Sequence, residues 1–261
     1  MLVVYTCWLG GYEDQLQPVV CARSPRVVYR CFTDDPALRV AGWNMIVVPR
    51  EADPICHSRR LKILAHDTVA DAACSLWLDA SFELLMDPWT IVERWLWQAD
   101  MVAMRHPDRR TIAEEGAEII RLRRAPEAPV TAQLAQYRTE GYDPARQTVL
   151  TSTGFCLRRH TARVMAFNKL WWQLFDAAGH TRDQMSIDVA LSRSSVDLVY
   201  LAGHYRDNPY ARFYSAADGR QRAALRARGF APTSVARGHA AVVVPARRSV
   251  PAQLSRQRGR P

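Results

Sequence analysis

Apolar residues open the chain in short, dense runs. LVVYT (2–6), RVVYRCFTDD (26–35) and WNMIVVP (43–49) are rich in β-branched and aromatic side chains and stop at turn formers, which predicts buried strands of a sheet. The spacing then lengthens. In SRRLKILAHDTVAD (58–71), Leu61, Leu64, Ala65 and Val69 recur at helical intervals, while Arg59, Lys62 and His66 cluster on another side and Ser58 stands where a cap would. The next apolar run, SLWLDASFEL (75–84), reads as a strand interrupted by Asp79. Strands alternating with helices predict an α/β sheet that binds ligands at the carboxyl ends of its strands.

The middle of the chain is more polar and helical. TIAEEGAEIIRLRR begins with Thr111 and Glu114 at capping-box spacing, APEAP forces a break, and TAQLAQYRTEG stops at Gly141. These segments predict a helical insertion over the active face. VLTSTGFCLRRH (149–160) returns to strand character, ARVMAFNKLWWQLFDAAGH reads as a strongly apolar helix, and TRDQMSIDVALSR starts with Thr181 and Gln184, a second capping-box pair. VDLVYLAGHY (196–205) is a last strand whose alternation ends at His204. No internal repeat is visible.

Length adds that 261 residues fit one large domain or one domain with an appendage. The formal charge of +9 is unevenly placed. From residue 216 onward ten arginines (220, 222, 226, 228, 237, 247, 248, 256, 258 and 260) face one acid, Asp218, so residues 1–215 are electrically balanced. The expected division is therefore a folded domain over 1–215 and a partly disordered, arginine-rich tail over 216–261, with a short helix in GRQRAALRARGF and a strand in AAVVVP. No run approaches the ~18 apolar residues of a membrane span, and the first residues carry neither a basic start nor a cleavage site. The expected location is the cytoplasm, with the tail available for peripheral attachment at the inner membrane face. Cys7, Cys21, Cys31, Cys56, Cys74 and Cys156 show no paired short spacing and are read as reduced core thiols.

An aspartate inside an apolar run costs several kcal/mol unless something pairs with it. Asp79 follows LWL, with Ser81 two residues on, so both side chains share a side if the strand continues. That spacing can hold a divalent cation; the bland alternative is a strand-end carboxylate satisfied by backbone amides or an arginine. Asp34 and Asp35 end another strand and could accept from a base or ribose, or simply form a turn. Arg59 and Lys62 could face a diphosphate, or solvent. His204 offers an imidazole ligand, and Asp183 sits in the first turn of its helix, where the dipole favours an acid regardless of chemistry. Trp43, Trp77, Trp171 and Trp172 offer faces for sugar stacking, against the commoner role of core residues.

The succession YTCWLGGYED, CFTDD, SRRLKILAH, LWLDAS, RHPDRRTIAEEG, YRTEGYD, TGFCLRRH and RDQMSIDVAL resembles the bacterial branch of a glycosyltransferase-like family whose plant members are linked to cell-wall and mucilage polysaccharide synthesis. The resemblance spans roughly residues 3–212. It implies a GT-A-like fold with a mixed central sheet, a nucleotide-sugar donor such as a UDP-sugar, and a Mn2+ or Mg2+ ion. Carried onto this chain, it makes Asp79, Ser81 and His204 the metal set, with Ser81 standing where a second carboxylate is common. Asp79 and either Asp34 or Asp35 fall on the donor side, and Thr6, Arg59 and Lys62 complete the expected donor-binding set. Asp183, with Gln184, takes the acceptor side, as general base if the reaction inverts or as an orienting carboxylate if it retains.

The leading expectation is transfer of a sugar to a glycan or surface-polysaccharide acceptor, with the tail near anionic lipid. Two others stay open: a glycosyltransferase modifying a nucleic-acid base, with the tail on phosphate, and a non-catalytic nucleic-acid-binding protein on a degenerate transferase fold.

Overall fold

The computed structural model describes residues 1–11 and 16–215, together with the backbone of 244 and 245. Its strands are β1 (Leu2–Trp8), β2 (Val27–Thr33), β3 (Asn44–Val47), β4 (Cys74–Leu78), β5 (Phe82–Leu84), β6 (Met101–Arg105), β7 (Thr151–Arg159), β8 (Leu198–His204), β9 (Ala211–Phe213) and β10 (Val244–Pro245). The helices are α1 (Pro54–Ile63), α2 (Ala65–Thr68), α3 (Trp89–Trp95), α4 (Ile112–Arg121), α5 (Glu127–Thr139), α6 (Ala162–Asp176) and α7 (Gln184–Ser192). The main sheet runs in the order β10-β8-β6-β7-β4-β1-β2-β3, and β5 pairs with β9 in a separate ribbon. Neighbours are parallel from β3 to β4 and between β6 and β8, whereas β7 lies antiparallel to both of its neighbours. The mixed α/β sheet expected from the sequence is present.

Alternation along the strands divides the core. Leu2 and Val4 of β1 join Leu76, Ile91 and Trp95 on one face, where α3 packs. Val3 and Tyr5 point the other way, to Trp77, Phe167, Trp171 and Ile187 beneath α6 and α7. The helical insertion is α4 and α5, which form a third cluster with α7 through Ile112, Ile119, Val130, Tyr137, Met185 and Val189. Gly116 lets these helices close up, since a Cβ there would lie 3.1 Å from Leu134 and 3.2 Å from Met185.

Several local expectations are corrected. The helix expected from Ser58 starts earlier, because Asp53 caps the N–H groups of Ile55 and Cys56 and Pro54 occupies the first turn. Ser58 lies inside the helix, where its hydroxyl accepts from Cys7. β3 is an exposed edge rather than a buried strand. The run through Asp79 does not continue as one strand: β4 ends at Leu78, a turn closes from the Phe82 N–H to the Asp79 carbonyl, and β5 leaves for the ribbon. Thr111 and Glu114 do form a reciprocal capping box on α4. Thr181 and Gln184 do not, because α7 begins only at Gln184 and its N-cap, Asp183, makes no side-chain capping bond.

The six cysteines form no disulfide among the described residues, and Cys7, Cys31, Cys74 and Cys156 are buried. No helix among the described residues is long and apolar enough to cross a membrane. Most of the tail, including the expected helix in GRQRAALRARGF and the start of AAVVVP, lies outside the described residues; Val244 and Pro245 pair antiparallel with Tyr200 and Val199 at the sheet edge.

Candidate active site

A cavity of about 520 Å3 lies over the carboxyl ends of β4 and β6 and the beginning of the inverted β7. Helix α1 contributes Arg59 and Lys62, the turn after β4 Asp79, the segment after β6 His106 and Arg109, and the segment entering α7 Arg182, Asp183 and Gln184. The α4–α5 insertion supplies Glu115 and Arg124 from above. Ser152, Thr153 and Gly154 of β7 form the floor, at the point where the β6–β7 register slips from Ala103↔Cys156 to Met104↔Ser152. Such a bulge frees backbone from its ladder and re-aims side chains.

Lys62 is the centre of the charged groups. It is 1% exposed, and its ammonium lies 2.8 Å from Asp183 Oδ2 and 3.5 Å from Asp79 Oδ1. Arg59, one turn earlier, places Nε 3.1 Å from Asp183 Oδ1. Burial pushes the Asp183 carboxyl up, but Lys62 and then Arg59 outweigh it and hold the group well below the usual carboxylate range. Asp79 is a third exposed at its side chain, and its Oδ1 also accepts the Trp77 indole N–H at 2.6 Å. The tryptophan ring lies 5.6 Å from the Lys62 ammonium, so Trp77 is a core residue that also orients the site.

The backbone that carries Lys62 is fixed from below. Arg158 on β7, fully buried, donates to the carbonyls of Lys62 at 2.6 Å and Ile63 at 3.1 Å, and Tyr5 on β1 donates to the Lys62 carbonyl at 3.0 Å. These bonds satisfy the otherwise unpaired end of α1 and place positive charge at its C-terminus. Trp171 on α6 donates its indole N–H to the Asp183 carbonyl. Both ends of the Lys62–Asp183 pair are thus anchored to the sheet or its covering helices.

The insertion side is more basic. Arg109 is paired with the buried Glu115, and the Nδ1 of His106 accepts backbone N–H groups from Asp108 and Arg109. Burial and the neighbouring Arg109 push the His106 imidazole down to about 4, so it is uncharged at neutral pH. Arg124 and Arg182 make no ion pair among the described residues, and the Arg182 Nε is buried without a hydrogen-bond partner among them.

The residues singled out from the sequence separate into two groups. Arg59, Lys62, Asp79, Asp183 and Gln184 meet at the cavity. Thr6, Asp34 and Asp35 belong to the ends of β1 and β2 and do not line it. Both Asp34 oxygens accept the Gly10 N–H at 3.0 and 3.1 Å, Arg50 approaches at 3.7 Å, and Gly10 keeps a positive φ of 60° where a Cβ would run into Pro54. Asp35 is exposed and accepts the Ala37 N–H. Thr6 is buried, and neither its hydroxyl nor the side-chain amide of buried Gln17 has a partner among the described residues. His106, Arg109, Glu115, Arg124 and Arg182 were not identified from the sequence, although RHPDRRTIAEEG and RDQMSIDVAL contain all but Arg124.

The three residues expected to hold a divalent ion do not fit one. The carbonyl of Ser81 accepts from Tyr214 as the chain enters the ribbon, and the His204 ring turns its Nδ1 onto the Arg206 N–H outside the cavity. Asp79 alone faces the cavity, with Oδ1 already engaged by an indole and an ammonium. No group of three or more His, Cys, Asp or Glu side chains among the described residues could enclose a metal.

A family model described as the TOD1/MUCI70 glycosyltransferase-like domain matches residues 2–209. A probable hexosyltransferase, MUCI70 of Arabidopsis thaliana, is 29% identical over 158 residues, which is 57% of this chain and 27% of that protein. The chain thus spans about a quarter of the length of this curated relative. A crystal structure of mouse xyloside xylosyltransferase 1 in its apo form aligns over 74% of this chain and 81% of its own at 11% identity, with a TM-score of 0.42.

Proposed function

We propose, from the premise that this chain belongs to the TOD1/MUCI70 glycosyltransferase-like family, that it transfers a sugar from a nucleotide donor to a glycan acceptor. The observation that carries the reading is the meeting of Arg59, Lys62, Asp79 and Asp183 in one cavity at the carboxyl edge of the sheet, where ligands of open α/β sheets bind. Departure of a nucleoside diphosphate concentrates negative charge on phosphate oxygens, and fixed cations placed beforehand stabilise that charge without reorganising. Lys62 and Arg59 are held in that state by Asp183 and by the anchored end of α1.

In this proposal the nucleoside lies toward β1, where Thr6 and Gln17 present buried polar groups without partners among the described residues. An unsatisfied buried hydroxyl or amide is costly, and base or ribose atoms would relieve it. Asp34 acts there by fixing the Gly10 turn. The diphosphate then reaches the cations beside Asp79, and the acceptor enters from the α4–α5 side. A carboxylate held as far below its ordinary range as Asp183 is a weak proton acceptor, so its part is to position Lys62 and Arg59, while Gln184 lines the acceptor side of the cavity.

The test is a panel of nucleotide sugars examined for native-state stabilisation and for release of the nucleoside diphosphate. A ligand specific to the folded state raises the unfolding temperature in proportion to its affinity. One donor class should both stabilise the protein and be turned over. If every donor leaves the melting curve and the nucleotide pool unchanged, the transferase reading is wrong.

A further inference from the structure

We propose that the positive charge meeting a donor diphosphate in this cavity is built into the chain, from Lys62, Arg59, Arg124 and Arg182, and that the diphosphate seats without a divalent ion. The inference rests on the transferase reading and adds how its donor is held. It begins with the space beside Asp79. An ion at that carboxylate would share it with an ammonium 3.5 Å from Oδ1 and an indole N–H 2.6 Å from the same oxygen. Lys62 cannot withdraw to make room. Its side chain is 1% exposed, its ammonium is paired with buried Asp183 at 2.8 Å, and the carbonyl of its own residue is fixed by Arg158 and Tyr5. The ammonium therefore stands where a metal's charge would be needed, and a second cation there would meet it at close range in a poorly solvated site.

The charges that line the cavity point the same way. Arg59, Lys62, Arg109, Arg124 and Arg182 face Asp79, Glu115 and Asp183. The carboxylates are each engaged by a cation, and the surplus rests on Arg124 and Arg182, which have no ion pair among the described residues. Two guanidinium groups with no ion pair among the described residues suit the phosphate oxygens of a sugar nucleotide's diphosphate, which carries about two negative charges, rising to about three in the released nucleoside diphosphate, and accepts their paired N–H groups. A divalent ion would supply charge that the arginines already provide.

Calorimetric titration with UDP and GDP as probes, in EDTA and again with added Mn2+, separates the outcomes. The expected result is a nucleotide Kd that agrees within about threefold in the two conditions, with no saturable heat from Mn2+ alone. Exchanging Arg124 and Arg182 together for glutamine should weaken binding about tenfold or more in EDTA, with the far-UV circular dichroism unchanged. Both lie outside the buried Lys62–Asp183 pair, so a folded variant is expected where Lys62→Met could fail to fold. A nucleotide that binds only with Mn2+, or a Mn2+ site abolished by Asp79→Asn, overturns this proposal and leaves the transferase reading standing. Absence of nucleotide binding in both conditions overturns both.

Discussion

Lys62 shows how one side chain can be a structural and a chemical residue at once. A buried ammonium is costly unless its charge is matched, and here the match comes from Asp183 at 2.8 Å with Asp79 at 3.5 Å. Removing one partner of such a pair leaves the other charge stranded, which costs about 3–5 kcal/mol, whereas replacing both with apolar groups of similar volume is often close to neutral. Lys62→Met should therefore unfold at markedly lower urea concentration than the parent chain, and the Lys62→Met, Asp183→Leu double variant should recover most of that loss. Equal destabilisation of the single and double variants would show that the two charges are not coupled. Gly154 illustrates the steric side of the same site, since a Cβ there would lie 2.8 Å from the Phe82 ring and 2.9 Å from Asp79 Oδ2. That floor position has no space for a side chain.

At the scale of elements, the site depends on how α7 docks against β7. Asp188 of α7 is buried and accepts from both the N–H and the hydroxyl of Thr151, and that hydroxyl lies 2.7 Å from the Tyr200 hydroxyl. Burial outweighs these bonds and pushes the Asp188 carboxyl up to about 6. The folded protein thus holds this proton more tightly than the unfolded chain, whose aspartates titrate near ~3.9. Its stabilising contribution is fully present below about 4 and is lost as pH rises through about 6. Measured against Asp188→Asn, the parent chain should lose about 2–3 kcal/mol of relative stability between pH 4 and pH 7. A difference in denaturation midpoint that stays constant over this range would contradict the assignment. The periodicity of the sequence reveals α7 and β7, because alternation and helical spacing are local. It does not reveal that β7 is inverted or bulged, since register depends on partners distant in the chain. The start of α1 is legible in Asp53 and Pro54, a cap followed by a first-turn proline, although the apolar periodicity becomes clear only after Ser58. Likewise, Asp183 looks like ordinary helix-start charge until folding brings α1 against it, 121 residues away in sequence from Lys62. The acids and bases of the site were thus visible as residue types, but their pairing belongs to the packing.

For the whole molecule, charge and site occupy different parts of the chain. Residues 1–215 are balanced, and the net +9 resides beyond them, while among the described residues those lining the cavity all lie before residue 214. Electrostatic attraction to an anionic surface grows with each basic residue brought within a Debye length, by about 1 kcal/mol apiece, and falls as salt screens it. Ligand binding inside a partly enclosed cavity is much less exposed to that screening. Deleting residues 216–261 should therefore abolish binding to vesicles containing anionic phospholipid at low salt while leaving nucleotide affinity within about threefold of the full chain. The deletion also removes the pairing of Val244 and Pro245 with β8, but that contact is at the sheet edge, with β6 between β8 and the strand that carries the cavity floor. A modest fall in melting temperature is compatible with this division. Loss of nucleotide binding from a truncated chain that remains folded is not, and would mean that the tail completes the site. Duplex DNA in place of vesicles gives the remaining contrast: steeply salt-dependent binding to DNA, lost on truncation and accompanied by sugar transfer to the nucleic acid, would replace the glycan acceptor with a base and leave the donor half of the site unchanged.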